Sequence, residues 1–195
     1  MKHTDTENSP RITNGINVTA LGQIVTTIQQ QPELGASMFR SASRWDDDRR
    51  VTTTVDDFAV CGGELTRPHP HRIDTDVPTT MTGTDRGPTP TELSLGALGS
   101  CVATTLVAHA AFKDIQLDSL QVKVEGDIDL RGFLGISDEV QVGCHKVRID
   151  IQIEAALPEA QLREFVVSAN RFAPVLDLYR RGTEVEIAIN SPTAS

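Results

Sequence analysis

The feature that most constrains the fold of this chain is one long apolar segment, Leu93 to Phe112, in which His109 is the only titratable residue other than a cysteine. Small side chains are frequent in the segment and would let another backbone pack closely against it: Gly96, Ala97, Gly99, Ser100, Ala103, Ala108, Ala110 and Ala111. A membrane span needs about 20 predominantly apolar residues, and the Gly, Ser and Thr content here instead favours a buried core helix.

The flanking residues predict where this helix begins and ends. Thr89 or Thr91 can cap its amino terminus, and Pro90 is favoured in a first helical turn. Glu92 then places a negative charge at the positive end of the helix dipole. We expect the helix to continue to about Lys113.

The remainder of the sequence reads mostly as strands. Alternating or β-branched stretches predict strands at Met38–Trp45, Arg50–Val60, Glu64–Arg67, Arg72–Val77, Leu117–Leu130, Lys146–Ala156 and Thr183–Ile189. Helical spacing predicts further helices at Ile16–Gln31, Pro158–Asn170 and Ala173–Arg180. Because helices and strands do not alternate one by one, the predicted class is α+β. We expect a disordered N-terminus over residues 1–14, an N-terminal helix over 15–35 and one domain over 36–195.

Composition argues against several classes of partner. The formal net charge is −9, with 18 basic and 27 acidic side chains, so a concentrated basic face for nucleic acid or an anionic membrane is not expected. The polar first ten residues lack the apolar core of a signal peptide. Three widely spaced cysteines, an odd number, do not form a disulfide framework. These features predict a cytoplasmic protein with reduced thiols.

Neither a metal nor an organic cofactor is expected. His69 and His71 could offer two imidazoles, and Cys144 with His145 two more ligands, but the pairs are far apart and lack the spacing of known metal frames. No glycine-rich, phosphate-binding loop follows a predicted strand. We read His109 as a core or interface histidine.

Residues 87–101, Gly-Pro-Thr-Pro-Thr-Glu-Leu-Ser-Leu-Gly-Ala-Leu-Gly-Ser-Cys, resemble the signature of the OsmC/Ohr family: a Pro-x-Glu-Leu opening, a small-residue helix and a cysteine on it. Three later segments, at 117–127, 129–135 and 173–178, resemble the family in the expected order. The resemblance covers roughly residues 36–190. It implies an OsmC-like fold in which antiparallel sheets wrap central helices in an intertwined homodimer, with active sites at the subunit interface.

The resemblance also implies chemistry, because characterised peroxidase members reduce hydroperoxides with a pair of cysteines assisted by an arginine and a glutamate. Cys101 matches the attacking cysteine of that pair. A thiolate is the nucleophile, and an unperturbed thiol has a pKa of about 8.5. Cys101 lies some ten residues into its helix, beyond the reach of the helix-terminus field, so a nearby cation is expected to activate it. The alternative is a buried, inert cysteine.

The matches for the assisting residues are less direct. Arg49 and Arg50 both follow the Asp46–Asp48 turn where the family places its arginine, and Arg50 is favoured over Arg49. Thr91 occupies the position of the family's glutamate, and the acid Glu92 lies one residue later, which turns its side chain by about 100° on a helix. Either residue could instead be an ordinary surface or helix-end charge.

The resolving cysteine of the family is absent. Ala173 stands at the matching position before Pro174, so a sulfenic acid on Cys101 would need Cys61, Cys144 or an external thiol reductant. Two functions therefore stay open. The first is thiol-dependent reduction of organic hydroperoxides in oxidative-stress defence, with Cys101 as nucleophile. The second is a non-peroxidatic protein that binds a small hydrophobic ligand or electrophile at the interface pocket. A purely structural role is a third reading.

Overall fold

A computed structural model describes residues 9–190. The strands are β1 (Ile12–Thr13), β2 (Ile16–Asn17), β3 (Met38–Phe39), β4 (Ala42–Asp47), β5 (Arg50–Val55), β6 (Phe58–Val60), β7 (Gly63–Leu65), β8 (His71–Thr75), β9 (Leu117–Asp127) and β10 (Lys146–Ala155). The α-helices are α1 (Val18–Gln30), α2 (Pro90–Phe112), α3 (Leu130–Phe133), α4 (Glu159–Ala169) and α5 (Pro174–Arg181). Short 3₁₀ turns occupy Pro32–Gly35, Thr79–Met81 and Asn170–Phe172.

The central helix α2 begins at a capping box formed by Thr89 and Glu92, of which the sequence predicted the cap, at Thr89 or Thr91, but not the reciprocal bond of Glu92. Thr89 Oγ1 accepts a hydrogen bond from the Glu92 backbone N–H at 3.1 Å, and the Thr89 N–H donates to Glu92 Oε2 at 2.7 Å. These bonds satisfy two amides that the helix itself leaves unpaired. Thr89, not Thr91, is thus the cap.

The hairpin of β9 and β10 covers one face of α2. The two strands pair antiparallel from Lys146 opposite Asp127 to Ile153 opposite Leu120. Gly99 on α2 allows the close approach, since a Cβ there would lie 3.1 Å from Val124 Cγ2 on β9. The alternation of apolar residues along both strands therefore presents one apolar face to the helix.

The helices α4 and α5 complete the core around α2. The buried cluster combines residues of the three helices with the residue that precedes α5: Leu98, Val102, Leu106, Ala110, Phe165, Ala169, Ala173 and Leu176. Half-buried side chains of β9 and β10 pack against it, as does the thiol of Cys101. The core of the described chain is thus centred on α2, as its apolar composition predicted.

The N-terminal strands are tied to the turn that follows α2. Asn14 Nδ2 donates to the Ile115 carbonyl at 2.9 Å, and Asn14 Oδ1 accepts from the Leu117 N–H at 2.9 Å. The predicted N-terminal helix is present as α1, and Asn17 is its cap. We expected residues 1–14 to be disordered; residues 1–8 lie outside the described residues, and Ile12–Thr13 forms β1.

The middle of the chain forms two small antiparallel sheets, with strand orders β3-β6-β7 and β4-β5-β8. The predicted hairpin around Asp46–Asp48 is confirmed as β4 paired with β5. The predicted strand Met38–Trp45 is interrupted at residues 40–41, and the predicted strand Arg50–Val60 is interrupted at residues 56–57. As a result, β3 and β6 pair in a separate sheet.

The last predicted strand, Thr183–Ile189, is wrong for the described chain, in which residues 182–190 adopt no regular secondary structure. Its alternating side chains are instead among the most exposed: Val185 at 72%, Ile187 at 84% and Ile189 at 90%. A strand requires a neighbouring edge to pair with, and residues 9–181 of this chain supply none to it.

Among the described residues, α2 is the one helix whose length and apolar composition would suit a membrane span. Core helices pass the same test of length and composition, and α2 packs against α4, α5 and the β9–β10 hairpin.

Candidate active site

The thiol of Cys101 lies at the amino terminus of α5. The backbone N–H of Val175, in the first turn of α5, donates to Cys101 Sγ at 3.4 Å. That amide has no partner within its own helix, because the first four N–H groups of any helix point away from it. The positive end of the α5 dipole therefore faces the sulfur.

A second contact fixes α5 along the same side of α2. The hydroxyl groups of Ser94 and Tyr179 are hydrogen-bonded at 2.7 Å. Ser94 and Cys101 are seven residues apart on α2, about two turns, and Val175 and Tyr179 are one turn apart on α5. The two helices thus run antiparallel, with the thiol at one end of the contact and the hydroxyl pair at the other.

The position of the family's resolving cysteine, Ala173, lies close to this thiol. Ala173 is 1% exposed and belongs to the core cluster against which Cys101 packs. It precedes α5 immediately, two residues before the amide that contacts Cys101 Sγ. Position 173, which the resemblance matches to the resolving cysteine, thus carries a methyl group two residues from the contact with Cys101.

Glu92 is bound at the start of α2, away from Cys101. Its carboxylate accepts from the Thr89 N–H and, at 2.9 Å, from the Thr89 hydroxyl, and these bonds lower the pKa of the acid. Nine residues separate Glu92 from Cys101, which is two and a half helical turns, so the two side chains leave opposite faces of α2. Within the described chain, no hydrogen bond joins them.

Arg50 begins β5 and is paired with the turn before it. Its Nε donates to Asp47 Oδ1 at 2.8 Å, and the hydrogen bonds that the guanidinium donates to this carboxylate raise the pKa of Arg50. Arg50 also lines a small cavity of about 160 Å³ in which Arg72 and Arg86 meet three aspartates. Over residues 9–190, no hydrogen bond or ion pair connects Arg49 or Arg50 with Cys101.

A buried carboxylate organises the loop that leads into α2. Asp76 is 1% exposed and accepts hydrogen bonds from the Thr84 hydroxyl at 2.6 Å and from the backbone amides of Val77, Thr84 and Arg86. These bonds, that of the Thr84 hydroxyl first, lower the pKa of Asp76 to about 2. Gly83 completes the turn, because a Cβ there would lie 2.1 Å from the Val77 carbonyl oxygen.

A cavity without charged lining residues adjoins the face of α2 that carries Ser94 and Cys101. It measures about 330 Å³ and lies between the helix and the sheet of β4, β5 and β8, lined by Ser43, Val51, Thr53, Thr75, Pro90, Leu93, Ser94 and Ala97. Pro90, Ser94, Ala97 and Cys101 follow one another at intervals of four, three and four residues, so they share one face of α2. The cavity wall is therefore continuous along the helix with the thiol.

The remaining cysteines lie apart from this site. Cys61 is exposed in the turn between β6 and β7, and Cys144 is half-buried before β10. All three cysteines are free thiols. In the part of the chain that the structure describes, no three His, Cys, Asp or Glu side chains are grouped as a metal site would require.

The family model of OsmC-like proteins matches residues 83–188, which is more than half of the chain and includes α2, the β9–β10 hairpin and α5. This chain belongs to the OsmC-like protein family. No curated protein matches it significantly.

Solved structures of OsmC-like proteins share the fold at low sequence identity. The protein from Mycoplasma pneumoniae is 15% identical with a TM-score of 0.56, over 73% of this chain and 87% of that one. An OsmC-like protein of unknown function from Vibrio cholerae is 14% identical with a TM-score of 0.54, over 71% and 91%. A protein from Psychrobacter arcticus, named for osmotic stress induction and detoxification response, is 18% identical with a TM-score of 0.53, over 73% and 88%. The OsmC-like fold predicted from the sequence is thus confirmed.

The contact between the Val175 N–H and Cys101 Sγ was not predicted from the sequence. From the sequence we expected a cation to activate Cys101, whereas the structure places the amide of Val175 against the sulfur. The two residues are 74 positions apart, and a backbone amide has no residue-type signature. The Pro174 at the start of a short amphipathic helix was the available signal, since it marks a free helix amino terminus.

Proposed function

We propose that this OsmC-like protein is a thiol-dependent hydroperoxide reductase of oxidative-stress defence, in which Cys101 is the nucleophile. The observation that carries the proposal is the hydrogen bond from the Val175 N–H to Cys101 Sγ at the amino terminus of α5. A backbone N–H donor and the amino terminus of a helix both interact favourably with negative charge that develops on a neighbouring atom.

The proposed reaction balances in two stages. The Cys101 thiolate attacks one oxygen of ROOH, the O–O bond breaks, and the departing alkoxide takes a proton to give ROH and Cys101–SOH. The sulfur is oxidised by two electrons and the peroxide is reduced by two. An external thiol then converts Cys101–SOH to a mixed disulfide and water, and a second thiol releases Cys101–SH and a disulfide. An external reductant is required because Ala173 occupies the resolving position.

The uncharged cavity supports a hydroperoxide with an organic group. It offers about 330 Å³ bounded by apolar side chains and by hydroxyl groups, with no charged residue among its lining. A compact, neutral alkyl hydroperoxide fits such a site better than a charged one, because burying an unpaired charge is costly.

Assistance by Arg50 and Glu92 is a separate part of the proposal, and it involves a second copy of the chain. Each residue is bound to a neighbour in its own chain, and over residues 9–190 neither makes a hydrogen bond to the Cys101 of that chain. Glu92 borders a cavity with Gly96 and Ser100, and these three residues lie on the exposed side of α2 that is available to a partner.

The accessible surface supports a homodimer. A compact monomer of 21.2 kDa has about 9,100 Å² of accessible surface, whereas this chain has 14695 Å². Chain ends outside the described residues contribute at most about 2,000 Å² at the extended-chain rate. The remaining excess is about 3,600 Å² in each chain, or about 7,200 Å² for two copies, and it is larger than the roughly 2,000–5,000 Å² that typical obligate dimers bury in total. We propose that two copies share their sheets and α2 helices, and that the protein acts in the cytoplasm.

The proposal is tested by measuring hydroperoxide turnover and the oxidation state of Cys101. We expect tert-butyl hydroperoxide to be consumed with a thiol reductant, a sulfenic acid to be trapped on Cys101, and Cys101→Ser to abolish both. Cys144→Ser is the matched control and should retain turnover. Full turnover by Cys101→Ser would refute the proposal.

The second candidate function is non-peroxidatic binding of a small hydrophobic ligand. The uncharged cavity and the alanine at position 173 favour it. This function predicts that neutral apolar ligands raise the melting temperature equally in the native protein and in Cys101→Ser, without peroxide turnover. Rapid alkylation of Cys101 at pH 6 would count against it.

A further inference from the structure

A second cavity lies on the other side of α5, where the helix meets the start of β10. It measures about 420 Å³ and is lined by Leu98, Cys144, His145, Lys146, Val147, Ile149, Leu176, Tyr179 and Arg180. Cavities of this size hold small organic molecules. The cavity shares no lining residue with the uncharged cavity at Ser94 and Ala97.

The wall of this cavity carries basic residues and no acidic ones. Arg180, Lys146 and His145 are its titratable side chains besides the thiol and the Tyr179 phenol. This is notable in a chain with a formal charge of −9. A local excess of positive charge in a concave site attracts anions.

The two permanent cations of the cavity are Arg180 and Lys146, and their pairing decides how strongly the cavity attracts anions. Over residues 9–190, neither Arg180 nor Lys146 makes a salt bridge, although the neighbouring Arg148 and Arg181 do. The Asp127 carboxylate, on the strand opposite Lys146, is bound by Arg148 at 2.5 and 2.7 Å. Asp127 also attracts Lys146 and His145, and Asp129 attracts His145. Each of these two carboxylates is bound by an arginine outside the cavity, Asp127 by Arg148 and Asp129 by Arg131.

The floor of the cavity is apolar. Leu98 is fully buried and Leu176 is 7% exposed, with Val147 and Ile149 half-buried beside them. An inorganic anion would leave this surface in contact with water. An organic carboxylate suits both the basic wall and the apolar floor. Its carboxylate can accept parallel hydrogen bonds from the guanidinium, and its apolar body can cover the floor.

We propose that this cavity, bounded by Arg180, His145, Leu98 and Cys144, is a binding site for a small organic carboxylate, separate from the proposed hydroperoxide site. The Cys144 thiol lies in its wall and serves as a natural reporter of what enters. The proposal does not depend on peroxide turnover.

The first experiment compares the alkylation of Cys144 by anionic iodoacetate and by neutral iodoacetamide, with site-resolved mass spectrometry. The ratio of the two rates should be higher at Cys144 than at exposed Cys61, and Arg180→Gln should lower it about threefold at low salt, because one positive charge leaves the cavity wall. Arg163→Gln is the control, because Arg163 is paired with Glu159 and lies outside this cavity. Equal ratios at Cys144 and Cys61 would overturn the proposal.

The second experiment measures binding directly in the full-length protein. Benzoate should slow the alkylation of Cys144 by iodoacetamide and raise the melting temperature, and benzamide, its neutral analogue, should do neither. Arg180→Gln should lose the effect of benzoate. Equal protection by benzoate and benzamide would show an apolar pocket without a carboxylate site and would reject the inference.

Discussion

The backbone N–H of Val175 points at Cys101 Sγ from 3.4 Å and joins the first turn of α5 to the middle of α2. The donor belongs to the backbone, so its removal requires proline. We expect Val175→Pro to slow alkylation of Cys101 at pH 6 about tenfold, because the thiolate loses its hydrogen bond. Val175→Ala keeps the amide and should retain the native rate.

The rates of Cys61 and Cys144 in the same samples provide internal references, and circular dichroism shows whether the helices survive the substitution. An unchanged rate at Cys101 in a folded Val175→Pro variant would mean that the amide does not stabilise the thiolate.

The buried Ala173 predicts that an internal disulfide can be restored. Ala173→Cys should form a disulfide with Cys101 after one equivalent of hydroperoxide, since position 173 lies two residues before the amide that touches the sulfur. Loss of two free thiols and a linked peptide pair in mass spectrometry would report it. Ala173→Ser, of similar volume, should stop at the sulfenic acid; a sulfenic acid that persists in Ala173→Cys would contradict the placement.

Asp76 predicts a pH dependence of stability. The pKa of this carboxyl is about 2 in the folded chain and near 3.9 when unfolded, so its stabilising effect is complete above about pH 4 and is lost as the pH falls toward 2. Asp76→Asn should lower the melting temperature by about 5 °C at pH 7 and by much less near pH 2. Melting curves across this range test the sign, and Asp85→Asn, in the same loop, serves as control.

The C-terminal residues predict the oligomeric state. Val185, Ile187 and Ile189 alternate with Glu184, Glu186 and Ala188 and are exposed in the described chain. Light scattering should give about twice 21.2 kDa for the native protein. Val185→Asp combined with Ile187→Asp should weaken the dimer, whereas Glu184→Lys combined with Glu186→Lys, on the alternate face, should not. A native monomer of 21.2 kDa would refute the shared sheet.

The variant Glu92→Gln distinguishes the role of Glu92 in the capping box from its proposed role in peroxide reduction. Glutamine preserves the capping box with Thr89, so the melting temperature should change by less than about 2 °C. If Glu92 assists a second copy, peroxide turnover should fall while the alkylation rate of Cys101 stays constant. Unchanged turnover would limit Glu92 to its role as a cap.

The sequence predicted those features that depend on neighbouring residues. Thr89, Pro90 and Glu92 specify the start of α2 within one turn, and the alternation along 117–127 specifies β9. The prediction of a strand at 183–189 was wrong for the described chain. Alternation indicates which face of a strand is apolar, but a strand also needs a partner edge, and the sequence pattern does not show whether one is present. The contact between Val175 and Cys101 depends on how two helices pack, which local pattern does not encode.

The bonds of Asn14 to Ile115 and Leu117 have a consequence for folding kinetics. Each closes a loop of about a hundred residues, and the entropy of closing such a loop must be overcome before the bonds contribute. We therefore expect this connection to form after α2 and the β9–β10 hairpin. In the folded protein we expect the β1–β2 segment to open locally more readily than the core. The amides of β1 and β2 should therefore exchange with solvent deuterium well before those of α2.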